Sequence, residues 1–233
     1  MATIELREVS VDFGAGVVLD NISTTLTQRR VGIIGSNGSG KSTFARLLNG
    51  LTQPTSGQVL IDGCDVSTHG KQIRRRVGFI FSDADNQIVM PTVVEDVEFS
   101  LRRSKLPAAE RHTRAMQCLE RFGLADHAQA SPHTLSGGQK QLLALAAVTV
   151  CEPDIIIADE PTTLLDLRNR MRMAQLFSRL SQQLIIVSHD MDLVRTTDRV
   201  LCIESGEIVA DGAPDRVIDA YAERVTAHPP QLP

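Results

Sequence analysis

The stretch Gly35-Ser36-Asn37-Gly38-Ser39-Gly40-Lys41-Ser42-Thr43 decides the fold of this chain, because it fits the phosphate-binding pattern G-x-x-x-x-G-K-[ST]. The apolar run from Val31 to Ile34 precedes it and predicts a short buried strand. Residues 42–48 follow with apolar positions at helical spacing, which predicts a helix. A strand–loop–helix order is the context in which this pattern indicates a phosphate site, and it disfavours a plain Gly/Ser turn.

The residue types in this stretch suit a nucleoside polyphosphate. Glycines let backbone N–H groups turn inward around phosphate oxygens, and the helix that follows points its positive end at the same place. Lys41 is placed to reach the β- and γ-phosphates, and the Ser42 hydroxyl is placed to bind Mg²⁺. We therefore expect the whole stretch from Gly35 to Thr43 to contact the bound nucleotide.

Composition limits the classes of function. The chain has 233 residues, enough for one large α/β domain or a core plus a subdomain. Of these residues 42% are hydrophobic and 22% are charged, as is usual for a soluble globular protein. Its net charge is −4, aromatic residues make up 3% and tryptophan is absent. Neither a basic surface nor base-stacking residues are indicated, so we expect no nucleic acid among the partners.

The sequence shows no signal for membrane insertion or secretion and no cysteine spacing that favours disulfides. The longest apolar run, Leu142 to Cys151, is too short to cross a bilayer, and the first residues lack the regions of a signal peptide. The four cysteines are widely spaced and form no C-x-x-C pair, which favours reduced thiols over a metal or redox site. These features predict a cytoplasmic location.

The remaining segments predict an α/β core around the phosphate loop. Apolar runs at 155–158 and 184–187 are typical of parallel strands buried on both faces, with residues 168–180 as the crossover helix between them. Alternating or short apolar runs predict further strands at 4–11, 17–19, 22–26, 58–61, 77–81, 200–203 and 207–210, the last two forming a hairpin. Pro214 opens a last helix to about residue 225.

Residues 82–150 differ from the rest, since they hold helical periodicity at 93–101 and 108–122 and no clear strand. We therefore predict an α/β fold with a P-loop NTPase core, a mixed sheet with an antiparallel β edge, and an inserted helical subdomain. The expected boundaries are 1–81 and 152–227 for the core with its antiparallel β-subdomain, 82–151 for the helical subdomain and 228–233 for a tail.

Two acids follow the predicted strand at 155–158. Asp159 is expected to hold Mg²⁺ through water, and Glu160 is one residue further on, where it could polarise a water aimed at the γ-phosphate. Strands also end in acids simply because they reach solvent. The presence of a phosphate loop in the same chain favours the functional interpretation.

A second anion site is indicated at Leu135-Ser136-Gly137-Gly138-Gln139-Lys140-Gln141, before a strongly apolar helix. Ser136 can cap that helix, while Gly137 and Gly138 leave amide groups bare at its positive end. On general grounds the segment could equally be only a helix start.

His189 and Phe13 are single residues with two interpretations each. His189 follows a parallel strand, on the side of an open α/β sheet where ligands bind, which favours a γ-phosphate contact over a structural histidine. Phe13 ends the first strand, where its ring could stack on a base or simply lie on the surface.

Taken together, these motifs resemble the ATP-binding subunit of an ABC transporter, and the resemblance covers the whole chain. Five family motifs occur in the same order and spacing: Walker A at 35–42, the signature at 135–141, Walker B at 155–160, the D-loop at 163–166 and the switch histidine at His189. In that family two subunits pair head to tail, and each ATP lies between the Walker A of one and the signature of the other.

The resemblance implies ATP and Mg²⁺ as ligands and a homodimer, or a pair with a paralogous subunit, as the working unit. It implies catalytic roles for Glu160 and His189, and Phe13 matches the adenine-stacking aromatic residue. The signature residues Ser136, Gly137, Gly138 and Gln139 would complete the ATP site of the neighbouring subunit.

Ser82 departs from the family pattern. The Q-loop glutamine, a ligand of Mg²⁺ and of the attacking water, falls at this position, and serine is too short to reach the metal without a bridging water. We therefore expect slower or more partner-dependent hydrolysis than a glutamine would give.

The sequence from Asp83 to Val97 resembles energy-coupling factor importers, which take up vitamins and transition-metal ions, and is most similar to the ATPase subunits of biotin transporters. This implies an integral membrane coupling subunit, whose coupling helix would meet residues 85–89, and a substrate-binding membrane subunit. It also implies a peripheral position on the inner face of the plasma membrane, with cargo selected by another subunit.

Three alternative functions compete with that of an importer subunit. A soluble ABC-type ATPase without transport, such as an iron–sulfur assembly component, would have the same ATP chemistry and cytosolic partners. A GTP switch protein is disfavoured because no Asn-Lys-x-Asp motif occurs. A nucleotide-binding module without catalysis is disfavoured by the presence of both Glu160 and His189.

Overall fold

The computed structural model describes residues 1–14, 16–163 and 165–227. Ten strands and eight α-helices occur in these ranges. In chain order they are β1 (Ile4–Asp12), β2 (Val17–Leu26), β3 (Arg30–Ile34), α1 (Lys41–Leu48), β4 (Ser56–Ile61), β5 (Cys64–Asp65), α2 (Val66–Arg76), β6 (Val77–Ile80), α3 (Val93–Ser100), α4 (Ala108–Phe122), α5 (Gly137–Thr149), β7 (Ile155–Asp159), α6 (Leu167–Arg179), β8 (Gln183–Val187), α7 (Met191–Val194), β9 (Arg199–Glu204), β10 (Glu207–Gly212) and α8 (Pro214–Ala227).

The strands form two sheets. The first has the order β2-β1-β4-β5 and is antiparallel throughout. The second has the order β10-β9-β3-β8-β7-β6, in which the five strands from β9 to β6 run parallel and β10 returns antiparallel on β9. The predicted mixed sheet with an antiparallel edge is therefore confirmed.

The central strands carry apolar side chains on both faces, which places them between two packed layers. In β7, Ile155 and Ile157 join a core with α1 and the first sheet, whereas Ile156 and Ala158 join a core with the helices that follow β6. All four residues are fully buried. Such continuous apolar runs are typical of parallel strands covered on both faces.

The segment between β6 and β7 is helical, as predicted. Its helices begin and end at local signals: the Thr92 side chain accepts from the Glu95 amide at the start of α3, and Gly123, with φ +66°, ends α4. Short 3₁₀ turns at Ala84–Asn86, Leu101–Arg103, Ala125–His127 and Pro132–Thr134 connect them. The proposed subdomain boundaries themselves stay a prediction.

Some sequence expectations were wrong in detail. Helix α5 runs from Gly137 to Thr149 and so ends one residue before the apolar run at 142–150 does, and β6 stops at Ile80, one residue before the expected strand end. Two short elements, β5 and α7, were missed. The predicted tail at 228–233 and Leu164 of the predicted D-loop lie outside the described residues. No helix in the described ranges has the length and apolarity that a membrane span requires.

Candidate functional site

Three neighbouring parallel strands end at the same level and carry the predicted site residues. Ile33 of β3 pairs with Val187 of β8, and Val187 pairs with Asp159 of β7. The phosphate loop follows β3, Glu160 follows β7, and His189 follows β8 by two residues. Ligands of open α/β sheets bind outside the carboxyl ends of such strands, so the topology gathers these groups at one edge.

The phosphate loop depends on glycine at two close approaches. A Cβ at Gly35, which has φ +146°, would come within 1.9 Å of the Ile203 carbonyl oxygen, and one at Gly40, with φ +103°, would come within 2.7 Å of the Val18 carbonyl oxygen. Ser36, Asn37 and Gly38 form the exposed tip of the loop, followed by buried Ser39, Gly40 and Lys41 and half-buried Ser42 and Thr43.

Ser39 indicates that the loop is shaped for a ligand. Its side chain is 4% exposed, and its hydroxyl oxygen has no hydrogen-bond partner among the described residues. A buried polar atom without a partner costs free energy, so such atoms occur where a bound group completes the hydrogen bonding. Together with the bare amides at the start of α1, this hydroxyl fits a phosphate group.

Lys41, Ser42 and Asp159 form the charged floor of the site. The Ser42 hydroxyl donates to Asp159 Oδ1 at 3.0 Å, and the Lys41 ammonium donates to the Ser36 carbonyl oxygen at 2.7 Å. Burial lowers the pKa of Lys41, against the opposing effect of the Glu160 and Asp159 carboxylates. Burial likewise raises the pKa of Asp159, although the bond from Ser42 favours the charged form.

The donor set at this floor fits Mg²⁺. A hydroxyl and a carboxylate oxygen stand 3.0 Å apart, and Mg²⁺ prefers oxygen ligands while keeping waters and substrate phosphates in its shell. No group of three or more His, Cys, Asp or Glu side chains that could cage a metal occurs in the described part of the chain. The site therefore suits a cation that needs few protein ligands.

Glu160 is held in an unusual backbone conformation beside His189. Its φ is +52°, in the left-handed region that non-glycine residues rarely adopt, and its amide donates to the Val187 carbonyl oxygen at 2.8 Å. Its carboxylate lies 2.7 Å from His189 Nδ1. The Glu160 side chain is 17% exposed and that of His189 is 64% exposed, so the pair opens to solvent on the histidine side.

Sequence reasoning did not predict the contacts of two residues with Glu160. The hydroxyls of Thr163 and Ser188 each donate to Glu160 Oε2 at 3.5 Å. Ser188 could have been found from its position, because it is the first residue after β8. Thr163 was predicted only as the first residue of the D-loop at 163–166, since its contact with Glu160 depends on the turn that follows Glu160.

Phe13 and Ser82 are exposed residues that follow β1 and β6. Phe13 is 63% exposed, one residue beyond β1, and the first strand pair continues into Val18, which contacts the phosphate loop at Gly40. Ser82 is exposed in the loop after β6, two residues beyond Ile80, which pairs with Ala158. Among the described residues no hydrogen bond joins Phe13 or Ser82 to the phosphate loop, so the role predicted for each stays a prediction.

The signature segment begins α5 with a reciprocal cap. The Gln139 amide donates to the Ser136 hydroxyl at 3.3 Å, and the Ser136 amide donates to Gln139 Oε1 at 2.8 Å. A Cβ at Gly138 would meet the Asn169 side chain within 2.7 Å, whereas one at Gly137 would meet nothing within 4 Å. No hydrogen bond joins this segment to the phosphate loop among the described residues.

Comparisons with known proteins agree with the resemblance drawn from the motifs. A family model described as "ABC transporter" matches residues 19–163. A putative ABC transporter ATP-binding protein of Deinococcus radiodurans is 52% identical, covering 96% of this chain and 99% of its own. The biotin transport ATP-binding protein BioM of Rhizobium etli is 41% identical over 94% and 98% of the two chains. The energy-coupling factor transporter ATP-binding protein EcfA1 of Symbiobacterium thermophilum is 41% identical over 86% and 72%.

Solved structures show the same fold. CbiO1 from Clostridium perfringens, described as part of the ABC transporter complex CbiONQ, aligns with a TM-score of 0.83 and 30% identity over 97% of this chain and 95% of its own. The cassette MJ0796, described as a dimer in a post-hydrolysis state bound to ADP and phosphate, aligns with a TM-score of 0.81 and 30% identity over 91% and 98%.

Proposed function

Because the chain belongs to the ABC transporter family of ATP-hydrolysing proteins, we propose that it is the ATPase subunit of an energy-coupling factor importer. The observation that carries the ATPase role is the meeting of Ser42 with Asp159 at 3.0 Å beside Glu160 and His189, which are 2.7 Å apart. The importer type is supported by the similarity to BioM and EcfA1. Phosphate-binding, metal-binding and water-activating groups from three adjacent strands lie together at one edge of the sheet. That combination is needed for hydrolysis and exceeds what nucleotide binding alone requires.

In this proposal the phosphate loop, residues 35–43, holds the triphosphate of ATP. Lys41 contacts the β- and γ-phosphates, while the Ser42 hydroxyl and, through a water, Asp159 hold Mg²⁺. Bound Mg²⁺ neutralises charge on the phosphate oxygens. The buried and unpaired Ser39 hydroxyl supports the same placement, and Phe13 stacks on the adenine.

Glu160 acts as the general base. A water attacks the γ-phosphorus in line, its proton passes to Glu160, and the bond from phosphorus to the leaving oxygen of ADP breaks. His189 orients the Glu160 carboxylate through the 2.7 Å contact and reaches the γ-phosphate from its exposed side. The strained backbone at Glu160 supports a functional position, because the fold keeps the carboxylate there at a cost.

The substitution Glu160→Gln tests this role. Glutamine keeps the size and the hydrogen bonding of Glu160 but cannot take the proton, so turnover should fall by about 10²–10⁴-fold while ATP still binds. ATP-bound dimers should then accumulate, which size-exclusion chromatography detects. Glu207→Gln, at an exposed position of β10, is the matched control. Undiminished turnover in Glu160→Gln would refute the assignment.

We place each ATP between two subunits. The signature residues Ser136, Gly137, Gly138 and Gln139 present the capped start of α5 outward, and this end would receive the γ-phosphate held by a neighbour. Because one chain carries both halves of such a site, two copies can form two complete sites, and a paralogous subunit could replace one copy. The dimer described for the similar cassette MJ0796 supports this arrangement.

The importer would carry a vitamin or a transition-metal ion, with biotin favoured by the similarity to BioM. The chain would lie on the inner face of the plasma membrane, bound to a coupling subunit and a substrate-binding subunit. Residues 85–89 support such docking, since Asp85 is exposed and Val89 is 62% exposed.

Purification from native membranes tests the partners, and uptake of labelled biotin, cobalt and nickel by cells with and without this chain tests the cargo. Two integral membrane proteins should co-purify with the chain. Cytosolic partners alone would favour the rival function, a soluble ABC-type ATPase without transport. Uptake of a metal ion in place of biotin would revise the cargo and leave the importer proposal standing.

A further inference from the structure

The side chain of Gln139 contacts Ser136 and His127, and the two contacts together determine which ring nitrogen of His127 carries the proton. Its Oε1 lies 2.8 Å from the Ser136 backbone nitrogen, and its Nε2 lies 2.9 Å from His127 Nε2. A backbone N–H can only donate, so the oxygen of the Gln139 amide must face Ser136 and the NH₂ group must face His127. An NH₂ group can only donate as well, so His127 Nε2 must accept.

This requirement leaves His127 a single form. The imidazole must be neutral, with its proton on Nδ1 and its lone pair on Nε2 directed at Gln139. In an imidazolium, or in the tautomer with its proton on Nε2, the Nε2–H group would face the NH₂ group of Gln139, and neither donor would have an acceptor. The lone pair also faces the first turn of α5, where the helix dipole favours an electron-rich group.

The backbone under His127 is held from both sides. His127 ends the 3₁₀ turn Ala125–His127, its amide donates to the Leu124 carbonyl oxygen at 3.0 Å, and its own carbonyl oxygen accepts from Ala130 at 2.8 Å. The neighbouring Ala128 carbonyl oxygen accepts from Val94 in α3 at 2.9 Å. The imidazole therefore stands on a backbone segment that is hydrogen-bonded to α3.

We propose that His127 is a positioning residue for the signature segment. It holds the Gln139 amide in the orientation that closes the cap on Ser136, and so it fixes the Ser136 hydroxyl and the first amides of α5 in the arrangement that a neighbour's γ-phosphate meets. The inference rests on the proposed function, in which the signature completes the site of the partner subunit. It adds a residue outside the five family motifs, eight positions before Leu135.

The tautomer can be measured directly. With ¹⁵N-labelled histidine in mildly alkaline buffer, long-range ¹H–¹⁵N correlation spectra distinguish a protonated Nδ1 from a protonated Nε2. The His127 signals are those that disappear in His127→Gln. We expect the Nδ1–H form, although free histidine in water prefers the proton on Nε2. A proton found on Nε2 of His127 would overturn the inference, whether or not the subunits pair.

Two variants at His127 test the consequence in a Glu160→Gln background, where ATP-bound dimers are stable in the proposal. Glutamine places its Oε1 near the position of the imidazole Nε2 and can still accept from Gln139, whereas leucine cannot accept. His127→Leu should weaken ATP-driven dimerisation by about 3- to 10-fold, the effect of one lost hydrogen bond. His127→Gln should stay within about twofold of the parent. Binding of ATP to the separate subunit should be unchanged in both.

The possible results distinguish a failure of the role given to His127 from a failure of the proposed head-to-tail pairing. Equal dimerisation of the parent and His127→Leu would overturn the inference, as would equal weakening by leucine and glutamine, which would indicate general packing. If the parent itself never dimerises with ATP, head-to-tail pairing is refuted, and the role given to His127 falls with it. Melting temperatures of the two variants show that both chains are folded.

Discussion

Asp159 lies on the floor of the phosphate site with 3% of its surface exposed, and burial raises the pKa of its carboxyl. Between the ordinary carboxyl pKa and the raised one, the folded state binds more protons than the unfolded state, so the free energy of unfolding falls as pH rises through that window. At neutral pH, without nucleotide or metal, the charge on Asp159 therefore opposes folding.

Asp159→Asn should accordingly raise the melting temperature at neutral pH in buffer free of Mg²⁺ and nucleotide. Asparagine keeps an oxygen for the 3.0 Å bond from the Ser42 hydroxyl and removes only the charge. The gain should shrink as the pH is lowered towards the ordinary carboxyl pKa, because the aspartate then becomes neutral as well. Thermal unfolding followed by circular dichroism at several pH values measures this. A lower melting temperature for the variant at neutral pH would contradict it.

Ser82 stands where the family has a glutamine, and the proposed Mg²⁺ contact would need a bridging water. Such a water costs about 0–2 kcal/mol in lost freedom, so Ser82→Gln should raise hydrolysis by the assembled complex, by up to about 30-fold. ATPase assays of the complex with Ser82, Ser82→Gln and the control Ser82→Ala test this. Equal rates with serine and glutamine would remove any role for the substitution.

Helix α3 holds the loop that precedes it through one side chain. Asp96 Oδ1 accepts from the amides of Val89 and Met90 at 2.8 and 3.1 Å, and the residue is 4% exposed. Asp96→Ala would leave both amides without their partner and should lower the free energy of unfolding by about 2–4 kcal/mol. Asp96→Asn keeps the accepting oxygen and should lose much less. Urea denaturation compares the two, and equal losses would show that the charge matters more than the two bonds.

The accuracy of the sequence reasoning differs between elements for physical reasons. Helix α4 was predicted to the residue from its helical periodicity. Strands β7 and β8 were each predicted to within one residue, because long apolar runs need burial on both faces. Strand β5 has two residues and α7 has four, too few to show a period. The Glu160–His189 and His127–Gln139 contacts join residues 29 and 12 positions apart, and such pairings depend on the packed fold.

At the scale of the whole molecule, we propose two anion-binding ends: the phosphate loop after β3 and the signature segment at the start of α5. In this proposal a single subunit would hold ATP with the first end and leave the second without phosphate. Head-to-tail pairing would bring each signature onto the neighbour's ATP and would make both sites depend on both chains. This dependence can be tested by mixing subunits with different defects.

Lys41→Ala should disable the phosphate loop, and Gly137→Asp should disable the signature, since its carboxylate would repel the γ-phosphate. The second variant should fold, because a Cβ at Gly137 meets no atom within 4 Å and an acid in the first turn stabilises a helix. Each variant alone should be inactive. In an equal mixture about half of the dimers combine one of each, and every such dimer has one site built from two intact halves, so activity should return to about a quarter of wild type. ATPase assays of both variants and of their mixture decide the matter, and a mixture as inactive as its components would show that the two ends do not serve a shared site.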